Sequence, residues 1–423
     1  MIPLKYYLRT YGCTLNAADS DIMRGILNSE GHLEVKSEDA ADVVILNSCQ
    51  VKSATEQKIL QKLSVLHQKR KRLILAGCLA INHRAVWKSA PNATILGTSS
   101  IAYLPAAFSN ASAGGRGVFR SPLSKENLPR DHPTGPIARI PIADGCLSAC
   151  TFCVTKLARG KLSSYTLKGV VREAEIAIEH GAKEIQLTGQ DTGAYGRDIG
   201  TDIVTLLNEV CDLPGDFRVR LGMINPQHVI PIQNEFFDCF KSRKLYKFIH
   251  LPIQSGSDSV LRAMKRGYAV QQFRTVANEF RKRFLSGVLA TDIIVGFPGE
   301  TDEDFEQTLS AIKEFRFDVV NISKFTPRPG TAAKKMKQLP SEVVKRRSEL
   351  TAELCHQISR ENNSRLIGKT YTVLVTEQQK TLTGRNNDYR QVALPPGANA
   401  KMGDWAKVKI TGASHSCLLG NPI

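Results

Sequence analysis

The sequence predicts an α/β chain in three parts: an N-terminal open parallel α/β sheet, a central partial (β/α)6 barrel and a small all-β barrel at the C-terminal end. Three observations carry this. Short apolar runs alternate with helical patterns over the first hundred or so residues and again after Ile137, as parallel β/α units require. Between the two series lies a stretch rich in Ser, Gly and Pro with no periodicity, "SNASAGGRG" and "SPLSKENLPRDHPTGP". After Ser364 the pattern changes to alternating strands separated by turn residues. A length of 423 residues fits two or three domains, with boundaries expected at 1–105, 137–363 and 364–423 and a linker over 106–136.

In the first part, "KYYLRT" (5–10), "VVILNS" (43–48) and "RLILAG" (72–77) are the expected strands. Helices follow from about Asp19 and from Ser53 to about Arg70. Cys13, Cys49 and Cys78 each fall at or just past the C-terminal end of one of these strands. Ligands bind at that edge of an open α/β sheet, so three cysteines far apart in sequence are expected to converge.

The central part offers "ARIPIAD" (138–144), "EIQLTGQ" (184–190), "RVRLGMI" (218–224), "FIHLPIQ" (248–254), "ATDIIVGF" (290–297) and "VVNISKF" (319–325) as strands, with helices such as 168–180 and 301–315 between them. Six such units suggest a partial barrel with its working residues on the loops after the strands. In the last part, "KTYTVLVTEQQ", "LTGRNNDYRQVALP" and "GDWAKVKITGAS" read as a small barrel, with eight basic against three acidic residues from Ser364 to Ile423.

Charge and cysteine usage narrow the function. A net charge of +17 points to a polyanionic partner, most naturally nucleic acid. No apolar h-region and no run of some eighteen apolar residues occurs, so a cytoplasmic location and no membrane partner are expected. Ten cysteines in such a protein argue against a disulfide framework. Six of them form two sets of three, while Cys211, Cys239, Cys355 and Cys417 sit singly.

The second set lies on one loop, "DGCLSACTFC", with Cys146, Cys150 and Cys153 at C-x3-C-x2-C spacing. Structural zinc takes four ligands, usually as two close pairs, and no second pair follows here. His180 and His250 have no context that joins them to this loop. In an iron–sulfur cluster thiolates hold the irons, and three thiolates on a cubane leave one iron open for another molecule.

This loop resembles the signature of the radical S-adenosylmethionine enzymes, including the aromatic Phe152. The earlier motifs "YGCTLNAADSD", "LNSCQVKSATEQK" and "LAGCLA" are similar to those of the methylthiotransferase domain, and the C-terminal barrel resembles the RNA-binding TRAM module. Over nearly its whole length the chain is similar to the radical S-adenosylmethionine methylthiotransferase family, which includes MiaB and RimO. "CTFCVTKLARGKLSSY", "DTGAYGRDIGTD", "LGMINP", "LPIQSGSDSVLRAMKRGY" and "GFPGETDEDF" resemble the archaeal and eukaryotic branch acting on N6-threonylcarbamoyladenosine beside the tRNA anticodon (adenosine 37). "LTGQD" is closer to the bacterial relatives, and Val154 stands where this branch often carries a basic residue.

The resemblance implies two [4Fe-4S] clusters, one on Cys146, Cys150 and Cys153 and an auxiliary one on Cys13, Cys49 and Cys78. It also implies two S-adenosylmethionine molecules, one as radical source and one as methyl donor, with Cys146, Cys150 and Cys153 at the catalytic centre. Gly189, Gln190, Asp191, Gln254, Ser255, Gly296 and Pro298 are the expected S-adenosylmethionine contacts, and Glu300 is expected to be a helix-start acid. Expected partners are tRNA, an electron-donor protein of flavodoxin or ferredoxin type and a sulfur donor, with a monomer favoured. Arg159, Lys161 and "KSRKLYK" (241–247) are candidates for RNA phosphate, as are Arg385, Tyr389, Arg390 and Lys407 in the last barrel. Two other readings compete. The same chemistry could act on isopentenyl-adenosine or on a ribosomal protein aspartate, or the chain could be a zinc-stabilised RNA-binding protein without catalysis.

Overall fold

Parallel strands covered on both faces must be apolar on both, and the runs "VVILNS" and "RLILAG" at the centre of the first sheet are almost wholly buried. The computed structural model describes residues 3–50, 53–131, 135–378 and 380–423. It divides into two units. The first holds the N-terminal residues to Pro133 together with Pro141–Leu147 and Cys153–Gly169, and the second holds the remainder.

In the first unit, β1 (Lys5–Thr10), β2 (Leu33–Glu34), β3 (Val43–Ser48), β4 (Arg72–Gly77), β5 (Thr94–Leu96) and β6 (Val118–Phe119) form one sheet. All its pairings are parallel, and the order is β2-β1-β3-β4-β5-β6. Alternate residues of β3 serve opposite faces. Val43 and Ile45 pack with Ile22 and Ile26 of α1 (Thr14–Ser29). Val44 and Leu46 pack with Ile59 and Leu63 of α2 (Ser53–Gln68) and Val86 of α3 (His83–Ser89).

The expected linker starts inside a helix. α4 (Leu104–Ser112) buries Leu104, Ala107, Phe108 and Ala111, a helical face whose small residues and flanking serines hide it in the composition. Two stretches expected in the barrel also belong to this unit. β8 (Ala143–Asp144) pairs antiparallel with β9 (Ser163–Ser164), and α5 (Thr155–Arg159) lies between them in sequence.

The second unit carries β7 (Ile137–Pro141), which runs to the unit boundary, and β10 (Glu184–Thr188) and β11 (Arg218–Leu221) in the order β11-β10-β7. A second sheet runs β12 (Phe248–His250), β13 (Val288–Val295), β14 (Val319–Lys324). The two are linked where Val219 N donates to Lys244 O (2.7 Å) and Tyr246 N to Val219 O (3.1 Å). This is a partial barrel of six parallel strands, as expected. Its helices include α6 (Leu167–Glu179), which starts in the first unit, and α7 (Ile203–Asp212). Then come α8 (Pro226–Val229), α9 (Gln233–Cys239), α10 (Asp258–Ala263), α11 (Val270–Arg283) and α12 (Asp302–Phe315). The N-cap of α12 is Thr301, whose Oγ1 accepts from Asp304 N (3.2 Å) while Asp304 Oδ2 accepts from Thr301 N (3.0 Å). Glu300 is therefore not a helix-start acid. It is buried, accepting from Gly296 N (2.8 Å) and from Arg347 Nη1 (2.6 Å) of the long α13 (Ser341–Ser364).

The chain ends in a closed barrel of β15 (Thr370–Gln378), β16 (Leu382–Asn386), β17 (Gln391–Ala393), β19 (Leu418–Pro422) and β18 (Trp405–Ala413), in that spatial order. Its core is Val373, Val375, Val392, Leu394, Val408, Ile410 and Leu418. The loop between β16 and β17 docks on the N-terminal end of the larger barrel. Tyr389 stacks 4.8 Å from Tyr246 and 4.9 Å from Phe248, and its hydroxyl donates to Glu184 Oε1 (3.3 Å). The hub is Asp318, which accepts from Arg390 (2.7 Å), Arg281 (2.8 Å), Asn362 (3.2 Å) and Leu289 N (3.0 Å). Replacing it leaves two cations without their shared anion. We expect Asp318→Ala to cost about 3–5 kcal/mol, read as an earlier urea transition with loss of tyrosine burial.

Candidate active site

Order in the first sheet decides where its ligand edge lies. The chain passes from β1 to β2 on one side and to β3 on the other, so the crossover reverses between β1 and β3. In open sheets ligands sit at that reversal, beyond the C-terminal strand ends. Cys13 follows β1, Cys49 follows β3 and Cys78 follows the neighbouring β4. The expected convergence is there: burial pushes the Cys78 thiol up to about 11, with Cys13 and Cys49 close enough to add to the rise.

Local chemistry shapes this edge. Cys13 is the N-cap of α1, where the helix dipole favours negative charge. Gly12 has φ +106°, and a Cβ there would lie 2.7 Å from Cys49 Cβ and 3.0 Å from its Sγ, so only glycine admits the second cysteine. Asn16 Nδ2 donates to Tyr11 O and Ser48 O, both at 2.8 Å, which braces the loops carrying Cys13 and Cys49. Cys13 is exposed, whereas Cys49 and Cys78 are buried. Among the described residues no three His, Cys, Asp or Glu side chains gather tightly enough for a single metal ion. A cubane spreads its thiolates over three irons, so this donor set fits a cluster.

The second set is divided between the units, Cys146 and Cys153 in the first and Cys150 in the second. All three are half-exposed. In the first unit, Cys146 N donates to Gly160 O (3.3 Å) and Lys156 Nζ to Cys146 O (2.6 Å). Gly145, at φ +73°, lies so close to Lys161 O that any Cβ would collide with it. In the second unit, Arg266 Nη1 donates to Cys150 Sγ (3.1 Å). Thr151 is pinned by bonds to Met264 O (3.0 Å) and Ala263 O (2.9 Å). A cation donating to the Cys150 sulfur suits a thiolate that ligates an iron–sulfur cluster.

The first unit also contains a buried ring of four charges that the sequence reading missed. Arg159 donates to Asp19 Oδ2 (2.7 Å) and Asp144 Oδ1 (2.9 Å), and Lys125 Nζ lies 2.7 Å from both Asp19 Oδ1 and Asp144 Oδ2. Arg159, Lys125 and Asp19 are each 1% exposed at the side chain and Asp144 is 14% exposed. Burial alone would raise the Asp144 carboxyl, yet Lys125 and Arg159 hold it below the ordinary carboxylate range. Arg159 also donates to Asn16 Oδ1 (2.6 Å), which is itself 3.9 Å from Cys78 Sγ. No spacing in the sequence relates these residues, since the ring spans Asp19 to Arg159.

The expected S-adenosylmethionine contacts fall into two groups. Gln190 and Gln254 each have a buried Oε1 without a hydrogen-bond partner, and Gln254 takes an unusual φ of +68°. Gly189 is half-buried beside Gln190. Others are held by protein. Asp191 Oδ1 accepts from Asn225 N (3.0 Å) and its Oδ2 lies 3.3 Å from His228 Nε2. Ser255 Oγ pairs with Thr308 Oγ1 (3.2 Å). Gly296 and Pro298 are buried in the turn after β13.

Several basic candidates for RNA are occupied elsewhere. Arg159 lies in the charge ring. Lys247 donates to Ser242 O (2.6 Å) and Leu245 O (3.1 Å), and burial lowers it to about 8. Tyr389 and Arg390 belong to the barrel dock, and Arg385 lies over the Tyr389 ring at 5.0 Å. Lys407 and Lys409 remain exposed, alternating on β18 with buried Val408 and Ile410. The first unit also has a cavity of about 770 Å3 bordered by Gly77 and Ala80 on either side of Cys78 and by Gly160, with Arg120, Lys161 and Thr98 in its wall.

Three family models match the chain: "Uncharacterized protein family UPF0004" over 5–97, "Radical SAM superfamily" over 140–312 and "TRAM domain" over 364–423. A Pyrococcus horikoshii relative, a probable threonylcarbamoyladenosine tRNA methylthiotransferase, is 41% identical over 99% of this chain and 100% of its own length. An Archaeoglobus fulgidus relative of the same name is 40% identical over 99% and 98%. The human threonylcarbamoyladenosine tRNA methylthiotransferase is 35% identical over 99% of this chain and 74% of its own length. Among solved structures, the radical S-adenosylmethionine methyltransferase TsrM from Kitasatospora setae has a similar fold. Its TM-score is 0.58 at 15% identity, covering 79% of this chain and 77% of TsrM. With the two cysteine sets on their strand-end loops and this likeness end to end, the chain belongs to the radical S-adenosylmethionine methylthiotransferase family, in the branch of its archaeal and eukaryotic threonylcarbamoyladenosine relatives.

Proposed function

We propose that this chain inserts a methylthio group at C2 of N6-threonylcarbamoyladenosine beside the tRNA anticodon, using two [4Fe-4S] clusters and S-adenosylmethionine as both radical source and methyl donor. The observation that carries the reading is the pair of three-cysteine sets in a chain 41% identical, end to end, to a relative named for threonylcarbamoyladenosine tRNA. Cys146, Cys150 and Cys153 would hold one cluster and Cys13, Cys49 and Cys78 the other. When bound, these groups supply the one-electron chemistry that removes hydrogen from an aromatic carbon and the sulfur that replaces it.

The chain's own residues bind and orient. Gln190 and Gln254, with unmet buried oxygens, are the favoured contacts for the S-adenosylmethionine ammonium and hydroxyl groups, with Gly189 leaving room beside them. Gly296 and Pro298 line the turn expected against the adenine. Asp191 and Ser255 orient these loops through Asn225 and Thr308.

The cavity beside Cys78 favours the threonylcarbamoyl substrate over an isopentenyl one. Arg120 and Lys161 in its wall can take a threonine carboxylate, whereas an isopentenyl group would dehydrate them and return no hydrogen bond. The exposed lysines of β18 support tRNA as the macromolecular partner, by contacts to phosphate that position without reading sequence. An electron-donor protein of flavodoxin or ferredoxin type and a sulfur donor complete the reaction, which takes place in the cytoplasm where tRNA is processed.

Anaerobic reconstitution should give brown protein with about eight irons per chain, falling by half on either Cys146→Ala or Cys78→Ala. Colourless protein carrying zinc would sink the proposal. In a strain lacking this chain, mass spectrometry of tRNA nucleosides should find 2-methylthio-threonylcarbamoyladenosine missing and its precursor accumulated; unchanged levels would exclude this substrate. The Arg120→Glu/Lys161→Glu double variant should keep its iron and lose about tenfold or more in turnover of threonylcarbamoyl-tRNA, the scale of one or two lost charge-assisted bonds.

A further inference from the structure

We infer that Arg159 is a positioning residue for the auxiliary cluster: its guanidinium donates to the Cys78 sulfur and holds that cluster's reduction potential above what the thiolates alone would set. The inference rests on the two-cluster reading above.

The geometry carries it. Arg159 closes α5, only six residues after Cys153, yet its guanidinium reaches the other cysteine set. It shares Asn16 Oδ1 with Cys78, at 2.6 Å from its own Nη2 and 3.9 Å from Cys78 Sγ. The Arg159 side chain also hydrogen-bonds Cys78 itself. A donor and a positive charge on a cluster sulfur stabilise the reduced, more negative state, so the potential rises.

Arginine suits this place for a stated reason. Three of its bonds go to Asp19, Asp144 and Asn16, and a planar fork of five donors still leaves N–H for sulfur. A lysine has three donors and cannot span all four partners. The ring supplies rigidity. Asp19 and Asp144 are each held by Lys125 as well, so the guanidinium cannot swing away from Cys78 without leaving both carboxylates half-paired. Cys150 has a parallel partner in Arg266, so each cysteine set has one sulfur under an arginine.

The test uses the full chain carrying Cys146→Ala, Cys150→Ala and Cys153→Ala, in which only the auxiliary cluster can assemble, at about four irons. In a redox titration followed by electron paramagnetic resonance, Arg159→Gln should shift the midpoint to lower potential, and Arg159→Lys should restore part of the shift. Should Arg159→Gln fail to fold, Asp19→Asn/Arg159→Gln removes one anion with the cation, and a smaller downward shift, from the lost N–H donor, is expected. An unchanged midpoint with about four irons bound would overturn the role of Arg159 alone. A background that binds no iron would overturn this inference together with the two-cluster reading.

Discussion

Two carboxylates and two cations shut away from water persist only as a closed set, and the first unit is organised around such a set. Each charge of the Asp19, Arg159, Asp144, Lys125 ring meets two opposite charges. Desolvating four ions costs several kcal/mol apiece, and only complete pairing offsets that. The gain is positional. Asp19 sits on α1 directly after Cys13, Lys125 comes from the segment beyond β6, and Asp144 and Arg159 flank Cys146 and Cys153. Stretches more than a hundred residues apart are thereby held in one register, which is why Pro141–Leu147 and Cys153–Gly169 belong to the unit of the first sheet.

The same logic of shared anions organises the second unit. Asp318 gathers Arg281, Arg390, Asn362 and a backbone amide, and Tyr389 fills the space beside Tyr246 and Phe248. The basic excess of the last barrel therefore divides in function. Arg385 and Arg390 face the larger barrel, and Lys407 and Lys409 are left toward solvent. A net charge counts both kinds alike, so it signals a polyanionic partner without showing which residues meet it.

Of the cysteine sites, much was legible in advance. Placement of Cys13, Cys49 and Cys78 at strand ends follows from short apolar runs such as "VVILNS", which the structure shows as a fully buried strand. The order of strands was not legible, and it is that order that puts the reversal between β1 and β3 under Cys13 and Cys49. Gln190 and Gln254 were proposed from their loops, and each has a buried oxygen without a hydrogen-bond partner. Asp191 and Ser255 came from the same loops, yet they are bonded to Asn225 and Thr308, a distinction no local pattern encodes.

Local periodicity and the two cysteine spacings thus determined, without coordinates, the three-part α/β architecture, the loops that carry the thiols and the family. Tertiary structure alone decided the partners of the charged residues. Arg159, Tyr389 and Arg390 read as candidates for RNA because charge and aromaticity are visible in a sequence and burial is not. An arginine beside "GKLSS" has no signature that separates a phosphate contact from a buried ring with Asp19, which lies 140 residues earlier. Helices and strands follow from neighbours within a few positions, whereas ion pairs in a core are made by residues that only folding brings together.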